Sequence, residues 1–232
     1  MLSLILSIVY NCRTANTWSN DLALAVTHFT DNRLSFGILF GCTDKIELQV
    51  VNRLAKSQEQ SFHPILLVGI LAELERERMA EVVESSIDRI EEAIFDMDTG
   101  TSSGRKSSES SEDGSYPGGS RAARRTVWLN TTFLRNRLEV WKTQMSKMME
   151  HVDEISAKII SVTDEDAPFG DSVYPDEDKR LLRIGDLIKD RLRALIEEFE
   201  EKMEECTMRV DGMAMATQWV LTKLLDFNIL LL

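Results

Sequence analysis

Leu134, Leu138, Trp141, Met145, Met148, Val152, Ile155, Ile159 and Val162 follow one another at steps of four and three without a miss. That spacing lays a single apolar stripe along an α-helix, and the stripe has to be covered by other helices. It predicts a helix over about residues 125–161. A shorter stretch of the same seam precedes it in Val83, Ile87, Ile90, Ile94 and Met97. A third follows in Leu181, Ile184, Ile188, Leu192, Leu195, Phe199, Met203, Cys206, Val210 and Met213, where four-four steps shift the phase of a strict heptad. Three long helices with polar connections predict a mainly α protein of long antiparallel helices, as a coiled-coil-like bundle or arm.

The N-terminal part has a different period. Leu22, Leu24 and Val26 alternate with Ala23, Ala25 and Thr27; beyond Thr30-Asp31-Asn32-Arg33, Leu34, Phe36, Ile38 and Phe40 alternate again. Alternation on both sides of a turn-forming cluster predicts a small β-hairpin. Two strands alone are marginal in water, so the hairpin should pack on a helix or belong to a larger sheet. The run Leu2, Leu4, Ile5, Leu6, Ile8 and Val9 has the apolar look of a signal segment, yet no Lys or Arg precedes it; a buried strand or a start cut from a longer chain are the alternatives. The apolar stretch at residues 219–232 is interrupted by Lys223 and Asp226 and is shorter than the ~20 residues of a bilayer span.

Thr43-Asp44 can cap a helix through Ile46, Val50, Val51 and Leu54. Pro64 disfavours helical geometry at His63, so a new helix should start near Ile65. Residues 99–123 are rich in serine and glycine, with Asp113-Gly114 and Pro117-Gly118-Gly119 as turn formers, and read as a disordered linker. A second break, residues 163–178, is acidic and ends in Asp176-Glu177-Asp178, which suits a helix N-terminus. The expected organisation is a hairpin region over residues 1–42, a first helical segment over 43–98, the linker over 99–123, and a helical hairpin with an apolar end over 124–232.

Charge and chemistry narrow the function. With 39 acidic against 27 basic residues the formal charge is -12, which argues against nucleic acid as a partner. Cys12, Cys42 and Cys206 are far apart and match neither a disulfide framework nor a zinc site. Of the three histidines, His63 reads as a turn or capping residue, and His151 lacks the second histidine of a helical zinc motif. Gly37 and Gly41 lack the rest of a phosphate-binding loop. No catalytic or cofactor-binding residue is assigned, and no enzyme is expected. Glu197, Glu198, Glu201, Glu204 and Glu205 are weak candidates for a hydrated Mg²⁺, against the simpler reading of a solvated helix face. Glu73, Glu75 and Glu77, interleaved with Arg76 and Arg78, read as an exposed or helix-bridging charged stretch.

Several strings carry a resemblance. His63-Pro64-Ile65-Leu66-Leu67 with Ile70-Leu71-Ala72-Glu73-Leu74-Glu75-Arg76 is similar to fungal CorA-like magnesium-transporter domain proteins. Trp141-Lys142, Met149-Glu150-His151-Val152-Asp153-Glu154, Ile188-Lys189-Asp190-Arg191-Leu192 and Cys206-Thr207-Met208-Arg209-Val210-Asp211-Gly212-Met213 agree with it, as do Ala216-Thr217-Gln218 and the stretch over residues 18–42. The likeness covers about residues 18–218. In that family the last helix continues toward the membrane, and two spans follow, the first closed by Gly-Met-Asn. Here Gly212-Met213 is followed by Ala214 and comes too early, so no pore residue is carried over. The resemblance implies the cytosolic helical part of a divalent-cation transport protein without its pore, truncated naturally or by an imperfect gene model. It implies work through self-association or partner helices, a cytoplasmic place, and a membrane only if the full family architecture applies. The competing expectation is a soluble coiled-coil interaction protein unrelated to transport.

Overall fold

The N-terminal region folds as three strands rather than two. The computed structural model of the protein describes residues 7–57, 62–102, 118–165 and 176–229. Strands β1 (Ser7–Arg13), β2 (Ala23–Phe29) and β3 (Leu34–Phe40) form an antiparallel sheet in the order β1-β2-β3. The expected hairpin forms as β2 and β3, and β1 extends it to a three-stranded sheet. Part of the apolar N-terminal run supplies β1, whose alternation was masked because Val9 is as apolar as its inward-facing neighbours Ile8 and Tyr10. Residues 1–6, which carry the rest of the signal-like run, lie outside the described residues.

Strand pairing sets Val26 against Gly37 and Tyr10, and Thr27 against Phe36 and Val9. Because side chains alternate across a strand, Leu24 and Val26 point to one face and Leu34, Phe36, Ile38 and Phe40 to the other. Gly41 closes the sheet with φ +83, where a Cβ would stand 2.4 Å from the Asp21 carbonyl oxygen. Only glycine fits that turn.

Among the described residues four helices follow: α1 (Asp44–Lys56), α2 (Leu66–Ser102), α3 (Gly118–Glu165) and α4 (Asp176–Ile229). The Thr43 side chain accepts from the Ile46 N–H, with Asp44 and Glu47 in the first turn and Arg53 and Lys56 in the last, so α1 is capped and its dipole complemented at both ends. At the start of α2 the His63 ring Nδ1 accepts from the Ile65 N–H at 3.3 Å, and its carbonyl accepts from the Leu66 N–H at 3.1 Å. Helix α2 runs on to Ser102 and α3 starts at Gly118, so both ends of the stretch read as a linker are helical; residues 103–117 lie outside the described residues, as do residues 166–175 of the second break. A nucleated helix extends by one hydrogen bond per added residue, which lets it overrun a composition boundary.

The chain divides into two compact units, Met1–Arg78 with Trp141–Glu198 and Met79–Val140 with Phe199–Leu232. In the first, Leu22, Leu24 and Val26 pack against Leu66, Val68, Ile70, Leu71 and Leu74 of α2, with Ile46, Val50 and Leu54 of α1 closing the cluster. Pairing of Glu73 with Arg191 and of Arg76 with Glu198 makes α2 and α4 parallel there. In the second unit Ile90, Ala93 and Met97 of α2 pack against Val210 and Met213 of α4, with Ile94, Val127, Ala216 and Val220 around them. The Glu91–Arg209 ion pair, 2.9 Å, bridges the same two helices. Mainly α with long helices and a small N-terminal sheet is the fold. Among the described residues the seams of all three helices supply most of the buried apolar side chains.

Candidate functional site

The densest polar constellation lies in the sheet-bearing unit. The first two turns of α2 are apolar and buried, and the helical repeat then brings Glu73, Arg76 and Glu77 round to meet α1 and α4. Arg191 on α4 forks the Glu73 carboxylate, Nε to Oε1 and Nη2 to Oε2, and its Nη1 reaches Glu198 at 3.2 Å. Arg53 on α1 bonds Glu77, which also accepts from Gln49 Nε2 at 2.9 Å. Arg76 stands 3.7 Å from Glu73 and 3.4 Å from Glu198. Burial pushes Glu73 up, but the Arg191 hydrogen bond and the guanidiniums of Arg191, Arg53 and Arg76 outweigh it and hold the carboxyl below its ordinary range. Three arginines thus meet three glutamates in a network that fastens α1, α2 and α4. A 370 Å³ cavity borders it, lined by Arg53, Glu73 and Arg191 over Leu66, Ile70 and Leu192.

On the opposite side of α2 from Glu73, Glu75 is fully buried at 0% exposure. Arg78 answers it with Nε and Nη2 at 2.7 and 2.8 Å, and the Ala15 N–H donates to Oε1 at 3.2 Å. Arg78 also donates to the carbonyls of Ala15, Trp18 and Ser19, and Trp141 bonds Glu75 from α3. Burial raises the Glu75 carboxyl above its usual range, more than these partners lower it. The expectation of an exposed or bridging stretch is thereby divided: Glu73 and Glu77 bridge helices, and Glu75 pins the loop after β1 from inside.

The three histidines gather in this unit from β2, the start of α2, and α3. His63 is 2% exposed; burial, with His28 and His151 nearby, pushes its imidazole down to about 4. Burial also lowers His28, whose Nδ1 lies 2.8 Å from Ser35 Oγ. His151 Nε2 lies 3.0 Å from the Tyr10 hydroxyl, and its Nδ1 is 3.0 Å from Glu154. A Cβ on Gly185 would meet Val152 at 3.2 Å and His63 Nε2 at 3.5 Å, so the small residue in α4 lets His63 and α3 come close. Neither this grouping nor Gly185 was visible in sequence, since no fixed spacing joins residues 28, 63, 151 and 185.

The acidic candidates on α4 do not converge on an ion. Glu197, Glu201 and Glu204 are exposed, Glu198 is engaged by Arg76 and Arg191, and Glu205 accepts from Lys202 at 3.0 Å. Among the described residues no group of three or more His, Cys, Asp or Glu side chains is placed to hold a metal ion. Cys12, Cys42 and Cys206 are free thiols, and burial pushes Cys206 up to about 11. No described helix is long and apolar enough to cross a membrane. No family model matches the chain, and no curated protein and no solved structure matches it.

Proposed function

We propose that this chain is a non-enzymatic helical module that works by assembly, of the kind that forms the cytosolic part of a CorA-like divalent-cation transport protein, itself without a pore. The observation that carries the reading is where the resembling strings fall. His63, Glu73, Glu75, Trp141, His151 and Arg191, drawn from four separate strings, sit in one unit as capping, clamping or buried residues. Strings of that kind hold a shape rather than a reaction. The charged groups there are spent on one another, Glu73, Glu77 and Glu198 on Arg53, Arg76 and Arg191, which favours a scaffold over a catalyst. The module would act in the cytoplasm, at a membrane only where the full family architecture accompanies it.

Sedimentation velocity in MgCl₂ and in NaCl at equal ionic strength tests the link to divalent cations. Hydrated Mg²⁺ gathered by the α4 carboxylates relieves repulsion between acidic chains, so the reading expects larger species in MgCl₂ than in NaCl. Identical profiles, the mark of plain screening, reject it. A second reading, a coiled-coil interaction protein unrelated to transport, is favoured by the apolar side chains that the second unit leaves exposed, among them Phe95, Met208, Met215 and Trp219. That reading expects assembly that is insensitive to the choice of salt.

A further inference from the structure

One face of the sheet is covered by helices and the other is bare. On the bare face Val9, Leu34, Phe36, Ile38 and Phe40 are between 48% and 61% exposed. Register sets them in rows, Val9 and Phe36 on either side of Thr27, and Ile38 beside Ala25; Phe29 and Phe36 meet edge to face with ring centroids 6.0 Å apart. Isolated exposed apolar residues need no explanation, but a continuous face does. These side chains, with half-buried Ala23, Ala25 and Phe29, present on the order of 600 Å², the upper end of what a monomer ordinarily shows.

We infer that this face is where a second copy of the chain docks, sheet against sheet. Two such faces would cover on the order of 1,200 Å² in all, above the ~1,000 Å² that a specific interface requires. Charge supports a copy despite the formal charge of -12. Every outward position of the three strands is neutral except Arg13, and Arg13 is already answered by Asp21 at 2.8 Å. Two copies therefore meet no like-charged carboxylates on this face, and no charged pattern is present to select a partner of opposite sign. Sheets with one uncovered apolar face pack about 10 Å apart with their inner side chains interdigitated. A two-fold axis through such a contact makes it self-complementary and closed, so assembly stops at two.

The inference differs from the assembly proposed above in placing the contact on strands rather than helices, and it does not depend on Mg²⁺. Light scattering on the full chain over a range of concentrations, in NaCl, is expected to show a dimer. Phe36→Glu combined with Ile38→Lys alters only exposed positions and should halve the mass while the circular dichroism stays helical. Phe95→Glu, on a helix, should leave the dimer intact. Because the double variant risks misfolding, Ile38→Cys in a Cys42→Ser background gives an independent readout: mild oxidation should link two copies covalently. A wild-type chain that is monomeric at its highest soluble concentration overturns the inference and leaves the face to another protein. So does a dimer that survives the double variant, or one that Phe95→Glu abolishes, which returns assembly to the helices.

Discussion

The two units draw on the same three long helices and fill their interiors differently. The sheet-bearing unit buries His28, His63, Glu73 and Glu75 among its apolar side chains. The all-helical unit buries Val83, Ile90, Leu134, Leu138, Cys206, Val210 and Met213, and Thr131, which satisfies itself on the Val127 carbonyl. A seam of aliphatic and sulfur side chains tolerates exchange so long as volume is kept. A buried carboxylate or imidazole does not, because it has to find particular partners or lose several kcal/mol. The sheet-bearing unit thus adds specific polar pairs to its apolar core, where its counterpart relies mainly on the seam.

The sharpest way to break this contrast is Arg78→Met. It leaves Glu75 buried without its guanidinium and frees the carbonyls of Ala15 and Ser19, so a loss of about 3–5 kcal/mol is expected in urea unfolding. Leu134→Ala in the other unit should cost about 2–5 kcal/mol as a cavity, but a Leu134→Met exchange less than about 1.5 kcal/mol. An Arg78→Lys exchange is the matching test on the polar side, and it should fail to rescue, because an ammonium cannot reproduce the fork.

Acid is the next largest lever. His63 is held neutral in the fold down to about pH 4, whereas the unfolded chain takes up a proton near 6.5. Between those values the unfolded state binds more protons, so stability rises with pH and is lost as pH falls from 6.5 toward 4, by about 3 kcal/mol for this group. Thermal melts at pH 7 and pH 4.5 should show the drop, and His63→Gln should flatten it. An unchanged slope in that variant would move the effect to His28.

Smaller effects sharpen the comparison from the other side. Cys206, buried and pushed up to about 11, should resist alkylation at pH 8 while exposed Cys42 reacts, as mass spectrometry of the intact and unfolded chain will show. Lys202→Ala removes a half-exposed pair with Glu205 and should change stability by no more than about 0.5 kcal/mol. A larger loss would mean that the seam depends on its charged flanks.

The seams were legible because helical period is a local property. Leu134, Leu138, Met145 and Val152 were placed by spacing alone and are buried. Thr43 was likewise readable as a cap, since its partner is three residues away. What stayed hidden was long-range. Arg191 finds Glu73 across 118 residues, and nothing in either neighbourhood names the other. The alternating Glu and Arg residues of α2 signalled pairing without saying with what, and β1 stood only as one alternative for the apolar N-terminal run because apolar Val9 interrupts its alternation.

That long range has a consequence in time. Because its residues come from Met1–Arg78 and Trp141–Glu198, the sheet-bearing unit is discontinuous along the chain. During synthesis the strands emerge first, yet the Glu75 indole partner, the Tyr10 contact at residue 151 and the Arg33 anchor on Asp178 arrive more than a hundred residues later. At about 5–20 residues per second the nascent sheet waits several seconds for these contacts, its inner face covered meanwhile only by α1 and the start of α2. Anything that binds strands in that interval, a chaperone or a neighbouring nascent copy, reaches the bare face before α3 and α4 have arrived to lock the sheet in place.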